Sequence, residues 1–280
     1  MKKAVQQLML GTLTENLTKT ESVLKKIKDI GYDQIELNGF MIRKSPFLVK
    51  LLTRMAGMPV GNSGKYDWEY LIDNSGLKVS SVHEDLGTIE RDVKGVINEA
   101  HKFNTENIVI TGMYRFDYRD YDLVMSLTER LNTAGKLLRE DGINLLYHNH
   151  NIEWVKCDGI TAYERIVKNT DPEYLNFEFD SYWPTEAGVD AAAEMEGLGA
   201  RIKLYHINDR GTRLKRCPMT PILKSDCAEL GNGNMPLKKL INIAKNAGAE
   251  TVILETHKNF VDNDPLKSIE MSFEFLKENA

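Results

Sequence analysis

Four residues that can bind a divalent metal each close a short apolar run in the second half of the chain. They are His148, Asp180, His206 and Glu255. Imidazole and carboxylate ligands without a thiolate suit Mn²⁺, Co²⁺, Fe²⁺ or Zn²⁺. If the four runs are strands that end at the same edge, these side chains converge on one point, and the sequence therefore predicts a single metal site.

Further polar residues stand beside these endings or close other strand-like runs. Because side chains alternate along a strand, three pairs point to a common side: His148 with His150, Glu178 with Asp180, and Glu255 with His257. A lone histidine at a strand end, such as His83, is as often a hydrogen-bonded rim residue as a functional one. Burial of unpaired charge at Asp180, His206 and Glu255 together would be costly without a cation.

Eight strand-like runs alternate with amphipathic stretches along the whole chain. Clear helical periodicity occurs in 18–30 and 122–140. The strands are predicted near 4–10, 33–37, 77–82, 107–111, 143–148, 174–180, 201–207 and 251–255.

Strict strand–helix alternation predicts parallel strands, and eight units favour a single (β/α)₈ TIM barrel over residues 1–280. An open doubly wound sheet is the alternative, but it would more naturally carry a glycine-rich phosphate loop after its first strand. Gly11 is the single glycine there. In a barrel, the chemistry lies at the carboxyl ends of the strands, where the long connections 41–67 and 208–235 would cover the mouth.

Composition excludes several classes of partner. The 280 residues carry a net charge of −5, which favours no nucleic acid. No run approaches the roughly 18 apolar residues of a membrane span, and the first residues lack the apolar core of a signal peptide. We therefore expect a cytoplasmic protein that does not bind membranes.

Several motifs together resemble the xylose-isomerase-like barrel superfamily, and more narrowly its sugar phosphate isomerase/epimerase branch. The motifs are YHNHNIEW at 147–154, EFDSYW at 178–183, YHIND at 205–209, LGNG at 230–233 and LETH at 254–257, preceded by GYDQIE at 31–36 and GLKVSSVH at 76–83. The resemblance covers nearly the whole chain. It implies the same closed barrel, a small carbohydrate substrate and, as in many relatives, a homo-oligomer.

The resemblance also implies one bound divalent ion, most often Mn²⁺, with Co²⁺, Fe²⁺, Zn²⁺ or Mg²⁺ as alternatives. Asp180, His206 and Glu255 match three of the family's ligands, and His148 stands where a glutamate is commoner. We expect His148 to be the fourth ligand. In the ketose epimerases two metal-bound glutamates exchange a proton, and this chain retains only Glu255 of that pair.

The resemblance implies a sugar, keto-sugar or polyol isomerase or epimerase that works by proton abstraction through a metal-stabilised enediolate. Glu255, His150 and Glu153 are the candidate acid–base residues. Loss of a β-oxygen from the same intermediate would instead make the protein a dehydratase or lyase of a keto sugar or inosose. An endonuclease-IV-like phosphodiesterase fits six histidines and an acidic chain poorly, and a non-catalytic sugar-binding protein is the remaining alternative.

Candidate substrate contacts complete the predicted site. Asn208 stands where many relatives have a lysine, and Arg210 and Arg213 just beyond could replace that cation. The aromatic ring of Trp183 could pack against the apolar face of a sugar. The predicted substrate-binding residues are Glu36, His83, Trp183, Asp209 and His257.

Overall fold

Eight parallel strands form a closed barrel in the computed structural model, which describes residues 1–11, 13–14, 16–43, 63–212, 217 and 219–280. Each strand pairs with the next one along the chain, and β1 pairs with β8, with Lys2 opposite Thr251. The predicted barrel is confirmed and the open sheet is excluded. The strands are β1 Lys2–Gln6, β2 Gln34–Asn38, β3 Lys78–Glu84, β4 Asn107–Thr111, β5 Asn144–His148, β6 Leu175–Asp180, β7 Ile202–Ile207 and β8 Thr251–Leu254.

Helices occupy most of the connections between the strands. In the described ranges the α-helices are α1 Leu17–Ile30, α2 Gly39–Ile42, α3 Trp68–Ser75, α4 Leu86–Arg91, α5 Val93–Lys102, α6 Tyr121–Arg139, α7 Ala162–Asn169, α8 Tyr182–Glu186, α9 Ala191–Leu198, α10 Leu237–Ala247 and α11 Pro265–Asn279. None of these helices is long and apolar enough to cross a membrane.

Local sequence explains where the helices begin and end, as α1 illustrates. The Asn16 side chain accepts a hydrogen bond from the Lys19 N–H and so caps the helix. Val23 and Ile27 lie one turn apart and bury the apolar face. Gly31 ends the helix with a φ of 122°, a conformation that residues with a Cβ rarely adopt.

A small apolar layer fills the inside of the barrel, separate from the larger core that includes the helices. It comprises Ala4, Val109, Leu146, Leu204 and Ile253. Leu146, Leu204 and Ile253 each precede a predicted metal ligand by two positions. Because side chains alternate, the ligands also point into the barrel, one layer nearer its mouth.

Two connections differ from the simple strand–helix pattern. β1 ends at Gln6, earlier than expected, and a 3₁₀-helix follows over Gln7–Leu10 because the Gln6 side chain accepts from the Leu8 N–H. The predicted long connection 208–235 contains a hairpin of Asp209–Gly211 with Asp226–Ala228. Most of the predicted connection 41–67 lies outside the described residues.

Gly135 provides a test of how tightly α6 packs against the segment before β6. A Cβ at this position would lie 2.1 Å from the Tyr174 carbonyl oxygen, which is backbone and cannot move aside cheaply. We expect Gly135→Ala to lower the free energy of unfolding by about 1–3 kcal/mol, as overpacking does, in urea titrations. The control Gly197→Ala, where a Cβ meets no atom within 4 Å, should leave stability unchanged or raise it by up to about 1 kcal/mol. Equal midpoints for both variants would contradict this packing.

Candidate metal centre

The four predicted metal ligands meet at the carboxyl end of the barrel. His148 and Asp180 are the last residues of β5 and β6, His206 lies near the end of β7, and Glu255 follows β8. One ligand atom from each lies within 4.8 Å of the others. All four side chains are buried, so the strands bring together the residues that the sequence singled out.

The spacing of these donor atoms fits a divalent cation. The Nδ1 atom of His206 lies 3.2 Å from Oε2 of Glu255 and 4.0 Å from Oδ2 of Asp180, and Nε2 of His148 lies 3.9 Å from the same Asp180 oxygen. Ligands about 2.1 Å from a tetrahedral ion are separated by roughly 3.4 Å. Two imidazoles that each give a lone pair and two carboxylates would also balance the charge of a divalent ion. Without an ion, burial opposes a charge on His206, but Glu178 and Glu36 outweigh it and raise the pKa of His206 well above its usual value.

Burial governs the protonation of this group. Burial and the neighbouring His206 lower the pKa of His148 well below its usual value, which leaves a neutral imidazole with a lone pair for a metal. Burial raises the pKa of Asp180 to about 8. Burial opposes ionisation of Glu255 too, but the nearby His257 and His206 outweigh it and hold the pKa of that carboxyl well below its usual range.

Glu36 lies deeper in the barrel than the four ligands. Its carboxylate accepts hydrogen bonds from Nε2 of Gln6 at 2.7 Å, Oγ of Ser81 at 2.5 Å and Nε2 of His206 at 2.6 Å, and lies 3.0 Å from Nε2 of His83. Burial opposes its ionisation, yet the two histidines lower the pKa of Glu36 well below its usual value. Glu36 is fully buried and thus holds other side chains in place, which differs from the substrate contact expected of it.

His83 lies between two buried carboxylates rather than at the rim. Its Nε2 atom is 2.9 Å from Oε2 of Glu178 and 3.0 Å from Oε2 of Glu36. Burial opposes a charge, but these carboxylates raise the pKa of His83 to about 10. The ring therefore carries a positive charge beside these two carboxylates, and its expected contact with a substrate stays a prediction.

A rim of three rings borders the mouth above the four ligands. The Trp183 ring centroid lies 5.4 Å from that of His150 and 5.3 Å from that of His257. His150 in turn lies 5.0 Å from His148, and burial together with His148 lowers the pKa of His150 to about 3. The Trp183 indole N–H is buried and has no hydrogen-bond partner within the described part of the chain, so it can donate to a bound molecule.

Glu153 is turned away from the barrel interior. The Tyr147 hydroxyl donates to Oε1 at 2.9 Å, and the His150 backbone N–H donates to Oε2 at 3.0 Å. The side chain is fully buried. Glu153 therefore supports the loop that carries His150, and the geometry offers no direct contact with a substrate for this predicted acid–base residue.

Asp209 organises the loop after the 208–235 hairpin. Its Oδ2 atom accepts from the backbone N–H groups of Gly231 and Gly233, each at 2.9 Å, and its Oδ1 atom accepts from Met235 at 3.2 Å and Arg210 at 2.8 Å. A carboxylate engaged by four N–H groups has little capacity left for a substrate.

One of the two arginines that could replace a family lysine lies in the described residues. Arg210 pairs with Glu186, and Arg213 lies outside the described residues. Asn208 is buried, where its Oδ1 atom accepts from the Thr256 hydroxyl at 3.3 Å.

Three interior residues received no function from the sequence. Alternation along β6 directs Glu178 inward together with Asp180, which was expected, but its contacts with His83 and His148 were not. Gln6 and Ser81 also face inward and bind Glu36. These residues could have been identified by searching the inward-facing strand positions beneath the predicted ligands for polar residues.

Comparison with known proteins identifies the family. The family described as xylose isomerase-like TIM barrel matches residues 24–279. A sugar phosphate isomerase/epimerase from Parabacteroides distasonis superposes with a TM-score of 0.77 at 22% identity, covering 99% of this chain and 93% of that one. A xylose isomerase-like TIM barrel protein from Mycobacterium smegmatis, solved with magnesium, gives 0.69 at 15% identity, covering 99% and 95%.

A curated relative matches over a shorter length. The inosose dehydratase of Mesomycoplasma hyopneumoniae strain 7448 is 32% identical over 84 residues, which is 30% of this chain and 27% of that protein. The matched part thus spans only about a quarter of the relative's length.

Glu153 predicts a specific pH dependence of stability. Burial raises the pKa of Glu153 from 4.5 to about 7, so the folded state holds this proton more tightly than the unfolded state. Its stabilising effect is complete below about pH 4.5 and is lost as the pH rises to about 7. Relative to Glu153→Gln, the wild type should lose about 3 kcal/mol across this range, measured by urea unfolding at several pH values. A difference between the two proteins that does not change with pH would contradict the buried, protonated carboxyl.

Proposed function

The chain belongs to the xylose isomerase-like TIM barrel family, and we propose that it is a divalent-metal-dependent isomerase or epimerase of a small sugar, keto sugar or polyol. The observation that carries the proposal is the convergence of His148, Asp180, His206 and Glu255 within 4.8 Å at the mouth of the barrel. These four residues would hold the ion. When bound there, a divalent cation polarises a carbonyl group and eases removal of the adjacent C–H proton.

The residues around this group supply the positioning that such chemistry needs. Asp180 has one oxygen fixed, because Oδ1 accepts from the Tyr182 N–H at 2.6 Å, and its other oxygen faces the histidines. Trp183 offers an indole N–H and a ring face to a polyol, and it keeps His150 and His257 close together. Hydroxyl groups and an apolar carbon face are the features of a sugar that this rim can bind.

Proton transfer is assigned to His150 and Glu255. Both lie beside the ligand group: His150 packs against His148, and the Glu255 carboxylate lies 3.8 Å from Nε2 of His257. Glu153 supports His150 through its backbone N–H and is assigned a positioning role. The cation is proposed to be Mn²⁺, with Mg²⁺ supported by the magnesium complex of the Mycobacterium smegmatis structure.

A dehydratase is the second candidate. The similarity to an inosose dehydratase favours it, and proton abstraction next to a carbonyl is the shared first step. The two candidates differ in whether the proton returns to carbon or a neighbouring oxygen leaves as water.

Metal content tests the ligand assignment. We expect about one divalent ion per wild-type chain and almost none in Asp180→Ala or Glu255→Ala, because each variant lacks one of four ligands. Elemental analysis by mass spectrometry provides the measurement, and circular dichroism checks the fold. The control is Glu229→Gln, a buried carboxylate that accepts a hydrogen bond from the Ser268 hydroxyl at 2.8 Å. Full metal content in both alanine variants would refute the site.

Deuterium exchange tests the reaction. Candidate keto sugars incubated with the Mn²⁺-loaded protein in D₂O should gain deuterium at one carbon. A product of otherwise unchanged mass supports an isomerase or epimerase, whereas a product lighter by one water supports the dehydratase. Glu255→Ala should abolish the exchange. Failure of every sugar in a broad panel to exchange, with metal bound, would contradict both candidates.

A further inference from the structure

Each of the two histidines of the proposed metal centre has one ring nitrogen directed away from that centre. In both residues this nitrogen faces a carboxylate. Nε2 of His206 lies 2.6 Å from Oε2 of Glu36, and Nδ1 of His148 lies 3.0 Å from Oε2 of Glu178. We infer that Glu36 and Glu178 fix the tautomers of these histidines, so that His206 binds the ion through Nδ1 and His148 through Nε2. This inference rests on the metal centre proposed above and assigns a positioning role to two residues outside it.

Hydrogen bonding to the carboxylates determines which nitrogen of each ring is protonated and which is left for the ion. An ionised carboxylate only accepts hydrogen bonds, so the ring nitrogen facing it carries the proton and the other nitrogen keeps its lone pair. Without an ion, burial and the nearby Glu36 raise the pKa of Glu178 to about 8, and a divalent cation on His148 would favour the ionised form. In His206 the nitrogen left for an ion is Nδ1, 3.2 Å from Oε2 of Glu255, where a cation would take the place of the proton that this pair shares when no ion is bound. In His148 it is Nε2, 3.9 Å from Oδ2 of Asp180. Both lone pairs are therefore directed at the same group of ligands.

The inner carboxylates are themselves held in place. His83 lies within 3.0 Å of both Glu36 and Glu178 and joins them through one nitrogen. Gln6 and Ser81 donate to Glu36 at 2.7 and 2.5 Å. These contacts come from β1, β2, β3 and β6, so the orientation of both metal-facing imidazoles is fixed by four strands that supply only one of the four proposed ligands, Asp180.

A second arrangement of the same side chains has to be weighed. His83, His148, Glu178 and His206 also place ligand atoms within 4.8 Å of one another, and an ion there would use Nδ1 of His148 and Nε2 of His206. One imidazole could bind an ion in each group only through both of its ring nitrogens, which would require the loss of both ring protons. In the inner group, Nε2 of His206, Nδ1 of His148 and Nε2 of His83 already lie at hydrogen-bond distance from Glu36 or Glu178, while Oε1 of Glu178 has no partner in the described residues. The outer group differs in holding two carboxylates, which would balance the charge of a divalent ion, and its Glu255 lies 3.8 Å from the rim residue His257.

Long-range ¹H–¹⁵N correlation spectra of the Zn²⁺-loaded protein, labelled at histidine, test the inference directly. The expected spectrum shows His148 protonated at Nδ1 and metal-bound at Nε2, and His206 protonated at Nε2 and metal-bound at Nδ1. His148→Ala and His206→Ala assign the signals.

Zn²⁺ affinity provides the second readout. Glu36→Gln and Glu178→Gln should each weaken binding about 10- to 100-fold, the usual effect of removing a carboxylate behind a ligating histidine. The matched control is Glu84→Gln, a buried carboxylate on the same strand as His83 that pairs with Arg43 at 2.6 Å instead. It should bind Zn²⁺ as tightly as the wild type.

The outcomes separate this inference from the proposed function. One bound ion with the reversed nitrogens, or two ions per chain, would overturn the orienting role and leave a metal centre in place. Unchanged affinity in both glutamine variants, with the fold retained, would also overturn it. A wild-type chain that binds no Zn²⁺ or Mn²⁺ would instead overturn the metal centre itself. The wild-type spectrum decides the matter even if a variant fails to fold.

Discussion

Compensation of buried negative charge is the constraint on which the interior of this barrel depends. Four carboxylates, those of Glu36, Glu178, Asp180 and Glu255, are buried around the imidazoles of His83, His148 and His206, and His257 lies 3.8 Å from Glu255. Each ion removed from water costs several kcal/mol unless it is paired and hydrogen bonded. His83 lies between Glu36 and Glu178, while Oε1 of Glu178 has no hydrogen-bond partner in the described residues. Glu255 is paired with His206 and His257, whereas Asp180 lies 3.9 Å from His148 and 4.0 Å from His206, beyond hydrogen-bond distance, and burial raises its pKa to about 8. A divalent cation held by His148, His206 and these two carboxylates would favour the ionised form of Asp180 and balance the charge of the group.

The barrel makes this arrangement possible because its strands keep layers apart. The apolar layer of Ala4, Val109, Leu146, Leu204 and Ile253 closes the interior below, and the inward residues two positions further along the strands are polar. Loops carry the rim, and buried carboxylates fix those loops as well: Glu153 holds the His150 backbone, and Asp209 holds four backbone N–H groups. Rigid strands thus position the ligands, while clamped loops position the groups that would meet a substrate.

Alternation and strand order were sufficient to predict the barrel and the convergence of His148, Asp180, His206 and Glu255. They were not sufficient to predict the contacts of Glu153 or Asp209, because the direction of a side chain on a loop depends on turns that no periodic pattern encodes. Glu36 and His83 were placed correctly at strand ends, but sequence could not give their depth. The bulge that shifts the pairing of β2 with β3 between Ile35 and Glu36 sets Ser81 beside Glu36. Glu178 was expected to face inward. Its hydrogen-bond partners could not be predicted, because they lie on other strands.

The burial of the proposed metal ligands also limits how far they can distinguish one substrate from another. The proposed ligands and the two inner carboxylates are buried, so they would treat any pair of neighbouring oxygens alike. Among the described residues, Trp183, His150 and His257 combine proximity to the ligands with ring faces or an N–H group left for a substrate. In the proposed reaction, whether a proton returns to carbon or an oxygen departs would depend on which substrate atoms lie against these rings. The choice between the proposed isomerase and dehydratase would then be made at the rim, while the buried residues beneath it would supply a first step that both reactions share.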